Sequence, residues 1–224
     1  MKINVLTSGS KGNVTALEVG DELILLDCGK PTKWTLARLN WRLPRAILVT
    51  HEHSDHATAV GDWLKRSVDV YLTRGTAQAL ELKPRHNLHT ITAGAPLRIG
   101  SMTVEAIPAI HDATEPVDFI LSDGTDRILY ATDTAALPSL SGTFTKIIIE
   151  ANFSEPVLLA SGVDEYQKLR ILQNHLSIEQ AITFLRDYPT AEVHLIHISA
   201  RHGNGDEFRT RAIEATGNDN ITIN

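Results

Sequence analysis

Short apolar or alternating segments recur along the chain and predict a protein rich in β-strands. The predicted strands are residues 2–6, 14–19, 23–27, 46–50, 68–72, 88–92, 97–99, 102–107, 117–121, 127–132, 145–150 and 192–197. Helical patterns and capping residues predict helices at 31–40, 56–65, 73–82, 177–188 and 206–215. This order of elements predicts an α/β protein of one domain, residues 1–224, with two packed mixed sheets and helices outside them.

The composition is that of an ordinary globular protein and excludes little. Of the 224 residues, 42% are hydrophobic and 21% are charged. The net charge of −6 argues against binding of long nucleic acid through the overall charge of the protein, but it does not exclude a local basic groove. A single cysteine, Cys28, forbids an intrachain disulfide. Since no targeting segment or membrane-length apolar run is visible, we expect a soluble cytoplasmic protein without a membrane partner.

The segment at 50–56, Thr-His-Glu-His-Ser-Asp-His, carries the clearest chemistry. Four metal ligands fall within six residues, directly after an apolar strand: His51, His53, Asp55 and His56. Imidazole and carboxylate together suit zinc or a neighbouring first-row metal. Because one tetrahedral ion cannot comfortably take four ligands from so short a loop, the motif predicts two adjacent ions that activate water at neutral pH.

Three further candidate ligands stand where predicted strands end, and a rigid scaffold holds such positions. They are His111, Asp133 and His197. A strand-end histidine alone is more often a structural residue held by a hydrogen bond, so it is the complete set that favours a metal site. The first ion is assigned to His51, His53 and His111, and the second ion to Asp55, His56 and His197. Asp133 is assigned as the bridge because a carboxylate offers two oxygens.

The motif His-x-His-x-Asp-His, followed in order by these three residues, resembles the metallo-β-lactamase superfamily nearly end to end. The resemblance implies a four-layer αββα sandwich of two mixed sheets flanked by helices. Five segments are similar to YycJ/WalJ-type hydrolases, namely 8–13, 26–29, 47–56, 111–116 and 130–134. That branch is associated with 5′-exonuclease activity on DNA.

The last third of the chain also resembles RNase Z, in the segments 150–153, 175–181 and 197–202. This resemblance implies that His175 is a proton donor near the scissile bond, oriented by Glu150, and that His197 is a metal ligand. Asp55, His175 and Glu150 are the predicted catalytic residues, and Asp55 is also a metal ligand. In the alternative interpretation, His175 only begins a helix beside the cap Ser177, and Glu150 is a surface carboxylate.

The chain departs from RNase Z in one informative way. Only about twenty residues separate His111 from Asp133, whereas RNase Z carries a long tRNA-binding arm there, so we do not expect tRNA processing of that type. Candidate contacts to a substrate phosphate are Arg201, His202 and Lys11.

Two assignments concern residues outside the ligand set. The sequence leaves Asp27 open between orienting a ligand histidine and capping a turn. Trp34, Trp41 and Trp63 are interpreted as core or subunit contacts because they lie on helices and not on a basic platform.

The leading functional hypothesis is a phosphodiester hydrolase, most directly a nuclease or exonuclease of the YycJ type acting on nucleic-acid ends. A cyclic nucleotide phosphodiesterase is the first alternative, and a thioesterase or lactonase of the glyoxalase II type is the second. A non-catalytic, metal-stabilised binding module is the third and is disfavoured because every expected ligand type is present. The predicted cofactors are two divalent ions, Zn²⁺ first and Mn²⁺ as the alternative, and a homodimer is left open.

Overall fold

The computed structural model describes all 224 residues, and the chain divides into two compact units. Unit 1 comprises Met1–Pro108 and Ala113–Gly124, and unit 2 comprises Ala109–Asp112 and Thr125–Asn224. The chain is α/β and its strands belong to two mixed sheets, which confirms the predicted class. None of the eight helices has the length and apolar character that crossing a membrane requires.

Unit 1 contains nine strands, of which the first six form one sheet. Its strands are β1 (Lys2–Thr7), β2 (Val14–Val19), β3 (Glu22–Leu26), β4 (Ala46–Leu48), β5 (Asp69–Thr73), β6 (Leu88–Ile91), β7 (Leu97–Ile99), β8 (Met102–Pro108) and β9 (Val117–Ser122). Its helices are α1 (Thr32–Arg38), α2 (Ser54–Ala57), α3 (Val60–Lys65) and α4 (Arg74–Ala79). β1, β2 and β3 pair antiparallel, and β3 to β6 pair parallel in chain order. β7, β8 and β9 form an antiparallel meander.

The apolar sequence of β4 explains where the ligand motif lies in unit 1. Ala46, Ile47 and Leu48 are all buried, as expected for a central parallel strand that is covered on both faces. β3 and β4 run parallel, so their carboxyl ends lie at the same edge of the sheet. Asp27, which follows β3, and the loop at 50–56, which follows β4, therefore emerge side by side.

Unit 2 is built on four parallel strands with helices around them. The strands are β10 (Arg127–Ala131), β11 (Lys146–Glu150), β12 (Glu192–Ile196) and β13 (Ile221–Ile223), and they pair in that order. The helices are α5 (Glu155–Ala160), α6 (Glu165–Asn174), α7 (Ile178–Leu185) and α8 (Gly205–Thr216). Because the strands are parallel, Asp133, Glu150 and His197 come from the same edge of the sheet. The predicted capping box of Ser177 and Gln180 begins α7.

Tertiary hydrogen bonds interrupt one predicted helix. The helix predicted at 56–65 is two short helices, α2 and α3, with a break at Thr58 and Ala59. The amide of Ala59 donates to the carbonyl oxygen of Cys28 at 3.1 Å, and the carbonyl oxygen of Asp55 accepts from the amide of Asn13 at 2.7 Å. These two bonds replace the helical bond between Ala59 and Asp55, so the ligand loop is tied to β2 and β3 and the helix does not continue.

Three elements of unit 2 were not predicted. They are α5, α6 and β13. Asn174 is the one buried residue of α6, so the helix has no apolar face from which a period could be read. β13 has three residues, of which Ile221 alone is buried.

Candidate metal centre

Three imidazoles of the ligand loop lie together in unit 1. The ring centroids of His51 and His53 are 4.6 Å apart, and those of His51 and His56 are 4.2 Å apart. Oδ2 of Asp55 lies 3.7 Å from Nε2 of His56. The loop therefore concentrates three imidazoles and one carboxylate, which is a donor set suited to zinc and similar divalent ions.

The carboxylate of Asp27 fixes the tautomer of His56. Its Oδ2 lies 2.8 Å from Nδ1 of His56, and both residues are fully buried. A carboxylate only accepts, so Nδ1 carries the hydrogen and Nε2 keeps the lone pair that a metal needs. The amide of Thr50 donates to Oδ1 of Asp27 at 2.9 Å and holds the carboxylate in place. Of the two roles that the sequence left open, Asp27 thus has the contact for orienting a ligand.

Asn13 is a site residue that the sequence did not reveal. Its Nδ2 lies 2.9 Å from Nε2 of His56, and its Oδ1 accepts from the amide of Gly9 at 2.7 Å. The glycine-rich segment at 8–13 connects β1 to β2, and it packs against the ligand loop. A Cβ added at Gly29 would overlap the carbonyl oxygen of Asp55, so glycine is required where β3 leads into this contact.

Four predicted site residues of unit 2 form a second cluster: Asp133, Glu150, His175 and His197. One ligand atom from each lies within 4.8 Å of the others. Nδ1 of His197 is 2.9 Å from Oδ1 of Asp133 and 2.8 Å from Oε1 of Glu150. The same Oε1 lies 2.7 Å from Nδ1 of His175. Buried carboxylates and imidazoles at this spacing fit a divalent cation together with an acid–base group.

His111 joins this cluster from the loop after β8. Its Nδ1 lies 2.9 Å from the carbonyl oxygen of Asn174, so Nδ1 donates and Nε2 carries the lone pair. That Nε2 is 3.6 Å from Oδ2 of Asp133. Burial lowers the pKa of His111, and the Asp133 carboxylate offsets this in part. A neutral imidazole is the form that binds a metal ion.

Glu150 is fully buried, which excludes the surface interpretation. Oε2 accepts from the amides of Leu176 at 3.0 Å and Thr134 at 3.2 Å. Burial would raise the pKa of Glu150, but the facing His175 outweighs it, and the pKa lies below its ordinary value. Burial likewise would lower the pKa of His175, but the Glu150 carboxylate raises it above the ordinary value. The pair therefore favours a charged imidazolium beside a carboxylate.

Three non-glycine site residues have left-handed backbone. Asp27, Asp133 and His197 have φ angles of 59°, 51° and 55°, and each comes within two residues of a strand's end. Such conformations are uncommon for residues other than glycine and concentrate at functional sites. The backbone at each position turns the side chain away from the strand direction and into its cluster.

The structure gives less support to the three residues that are predicted to contact a substrate phosphate. Lys11 and Arg201 are exposed, whereas His202 is buried and its carbonyl oxygen accepts from the amide of Ser154 at 2.9 Å. Burial and the neighbouring Arg201 lower the pKa of His202. A role in substrate binding stays a prediction for all three residues.

The fold and the two clusters define a metallohydrolase, and comparison with known proteins agrees. The family model described as beta-lactamase superfamily domain matches residues 23–198, and the chain belongs to this superfamily. It is 30% identical over 220 residues to exodeoxyribonuclease WalJ of Streptococcus pneumoniae, covering 88% of this chain and 81% of that protein. It is 28% identical over 218 residues to exodeoxyribonuclease YycJ of Bacillus anthracis, covering 89% and 83%.

A solved structure supports the same fold. The metallo-beta-lactamase fold protein YhfI from Bacillus subtilis matches with a TM-score of 0.77 at 19% identity, over 99% of this chain and 95% of that one. The predicted family and its fold are therefore confirmed. The chain is a metal-dependent hydrolase of the metallo-β-lactamase superfamily.

Proposed function

We propose that the chain hydrolyses phosphodiester bonds at nucleic-acid ends with two divalent ions. The observation that carries this proposal is the contact of 2.7 Å between Nδ1 of His175 and Oε1 of Glu150. Phosphodiester cleavage expels an alkoxide, which needs a proton, and His175 with a raised pKa is a suitable donor. Relatives named exodeoxyribonuclease, aligned over most of the chain, support the same substrate class.

The metal ligands remain as assigned from the sequence. His51, His53 and His111 would hold one ion, Asp55, His56 and His197 the other, and Asp133 would serve both. The ions, Zn²⁺ first and Mn²⁺ as the alternative, would polarise the phosphoryl oxygen and lower the pKa of water. Asp55 keeps its double assignment as metal ligand and catalytic carboxylate.

The protein's own groups supply proton transfer and orientation. His175 donates the proton on Nε2 to the leaving oxygen while its Nδ1–H stays bonded to Glu150. Because Glu150 also contacts Nδ1 of His197 at 2.8 Å, the same carboxylate orients a metal ligand and the proton donor. Asn152 Nδ2 donates to Oε1 of Glu150 at 3.2 Å and helps to hold the carboxylate in one orientation.

The test is a comparison of substrate classes with the zinc- and manganese-loaded protein. Bis-p-nitrophenyl phosphate and single- and double-stranded DNA ends should be turned over. Turnover of cyclic mononucleotides without strand cleavage would replace the nuclease by the cyclic nucleotide phosphodiesterase. Thioester turnover with no phosphodiester turnover would refute the proposal.

A further inference from the structure

A stretch of unit 1 next to the ligand loop is strongly basic within an acidic chain. Between Asp27 and Glu52 the sequence contains no carboxylate, although the whole chain has a net charge of −6. Five basic residues fall in this stretch: Lys30, Lys33, Arg38, Arg42 and Arg45. Their positive charge is therefore concentrated on and around α1.

Internal contacts engage only part of this charge. Nε of Arg45 pairs with Oε1 of Glu22 at 3.0 Å, and Arg42 donates to the carbonyl oxygen of Asp21. Lys33 and Arg38 are exposed and Lys30 is half-buried, and none of the three is paired with a carboxylate. Three cations are thus available to an external anion.

Tryptophan side chains interleave with these cations. The Arg38 guanidinium lies 3.5 Å from the ring centroid of Trp34, and Nζ of Lys30 lies 5.5 Å from it. These cation–π contacts hold two positive groups at one indole. Trp41 is 62% exposed, so its ring is open to a stacking partner. The sequence interpretation assigned all three tryptophans to core or subunit contacts, and of the three only Trp63 is buried in the core.

The basic stretch begins at the ligand loop. The amide of Gly29 donates to the carbonyl oxygen of Asn13 at 3.0 Å, and Asn13 contacts His56. Lys30 follows directly, and its side chain passes over Gly12, beside the exposed Lys11. At the far end, a groove of about 500 Å³ is lined by Lys2, Arg38 and Arg42 together with one carboxylate, Glu18.

We propose that this face, the α1 surface (Lys11, Lys30, Lys33, Trp34, Arg38 and Trp41), binds the backbone and bases of a single nucleic-acid strand. The inference rests on the proposed function and adds the site that holds the strand beside the metal centre. Cations tracking a backbone, with an exposed aromatic ring for base stacking, are the features of single-strand binding. A second copy of the chain is the less suitable occupant, because a symmetric contact would bring two basic surfaces together.

The experiment measures binding of 3′-labelled oligothymidylate by fluorescence anisotropy at several salt concentrations. All proteins carry His175→Ala and zinc, so that cleavage of the strand is slow during the measurement. The double variant Lys30→Gln/Lys33→Gln should reduce the slope of log K against log salt by about 1.4, at roughly 0.7 for each phosphate contact. Trp41→Leu should weaken binding about tenfold without changing the slope.

The control is Lys83→Gln/Arg85→Gln, which removes two exposed charges from another loop of unit 1. It should leave both affinity and slope unchanged, and thermal unfolding checks that every variant is folded. Titration with oligouridylate identifies whether DNA or RNA binds more tightly, and weaker binding of the preferred strand by the α1 variants supports the α1 surface.

The failures of the two proposals are distinguishable. If the strand binds but the α1 variants keep its affinity and slope, the inference is overturned while the proposed function stands. If Trp41→Leu changes the molar mass in light scattering and not strand affinity, the face is a contact between copies and the inference fails. If the otherwise unmodified enzyme does not hydrolyse bis-p-nitrophenyl phosphate, the proposed function itself fails.

Discussion

Oε1 of Glu150 lies 2.7 Å from Nδ1 of His175. Because a carboxylate accepts, Nδ1 of His175 donates its hydrogen to this buried group. Nε2 of His175 is then the nitrogen that can exchange a proton with a substrate. The same Oε1 lies 2.8 Å from Nδ1 of His197. The position of the proposed proton donor is therefore coupled to that of a proposed metal ligand through one oxygen atom.

Replacing His175 should affect substrates according to their leaving group. For His175→Ala we expect kcat to fall about 10²- to 10⁴-fold on a dinucleotide, whose leaving alkoxide needs a proton. The loss on bis-p-nitrophenyl phosphate should be much smaller, because p-nitrophenolate leaves without protonation. Steady-state rates on both substrates provide the measurement.

A matched control for that variant is His89→Ala, which removes an imidazole bonded to Asp69 in unit 1. It should leave both rates unchanged. Metal content should be the same in the unmodified protein and in the His175→Ala and His89→Ala variants. Equal losses on the two substrates in His175→Ala would argue against a proton donor at this position.

Glu150→Gln should move the pH dependence of kcat. The carboxylate raises the pKa of His175 above its ordinary value, so His175 stays protonated to higher pH than an ordinary histidine and loses its proton as the pH rises through the raised value. When the Glu150 charge is removed, burial should lower the pKa of His175. The alkaline limb of the pH profile of kcat should then shift to lower pH. If the alkaline limb does not shift and kcat is lower by the same factor at every pH, Glu150 has no influence on the ionisation of His175.

Asp27→Asn should weaken metal binding, because an amide can donate to Nδ1 of His56 and so force the hydrogen onto Nε2. We expect a loss of about 10- to 100-fold in affinity for one of the two ions, measured by competition with a chromophoric chelator. The control is Asp69→Asn, at a half-exposed carboxylate that contacts His89 at 2.9 Å. Similar affinities in both variants would rule out tautomer control by Asp27.

Two glycines of unit 1 should respond in opposite ways to an added methyl group. Gly29→Ala would bring Cβ into the carbonyl oxygen of Asp55 and should lower the free energy of unfolding by about 3 kcal/mol or more. Gly61→Ala, in α3 with open space around it, should raise that free energy by about 0.5–1 kcal/mol. Urea denaturation of the metal-free proteins measures both, and a stable Gly29→Ala protein would contradict the close packing.

The candidate ligand set could be proposed from the sequence because its signals are local. Four side chains of the types that bind metals lie within 51–56, and the other candidates follow apolar runs that predict strands. Parallel strands then bring Asp133, Glu150 and His197 to one edge of the sheet in unit 2.

The supporting contacts could not be predicted because they join distant parts of the chain. Asn13 meets His56 across 43 positions, and His111 meets Asn174 across 63 positions. α6, which presents Asn174, has almost no buried residues and so gave no periodic signal. Trp41 was expected in a core or subunit contact, and only the structure places its ring in the open.

The most direct test of the central claim is titration of the chelated protein with Zn²⁺ while the hydrolysis of bis-p-nitrophenyl phosphate is followed. The two-ion account predicts that the rate rises until two equivalents per chain are bound and then stays constant. A rate that saturates at one equivalent, or no phosphodiester turnover at any zinc concentration, would contradict it.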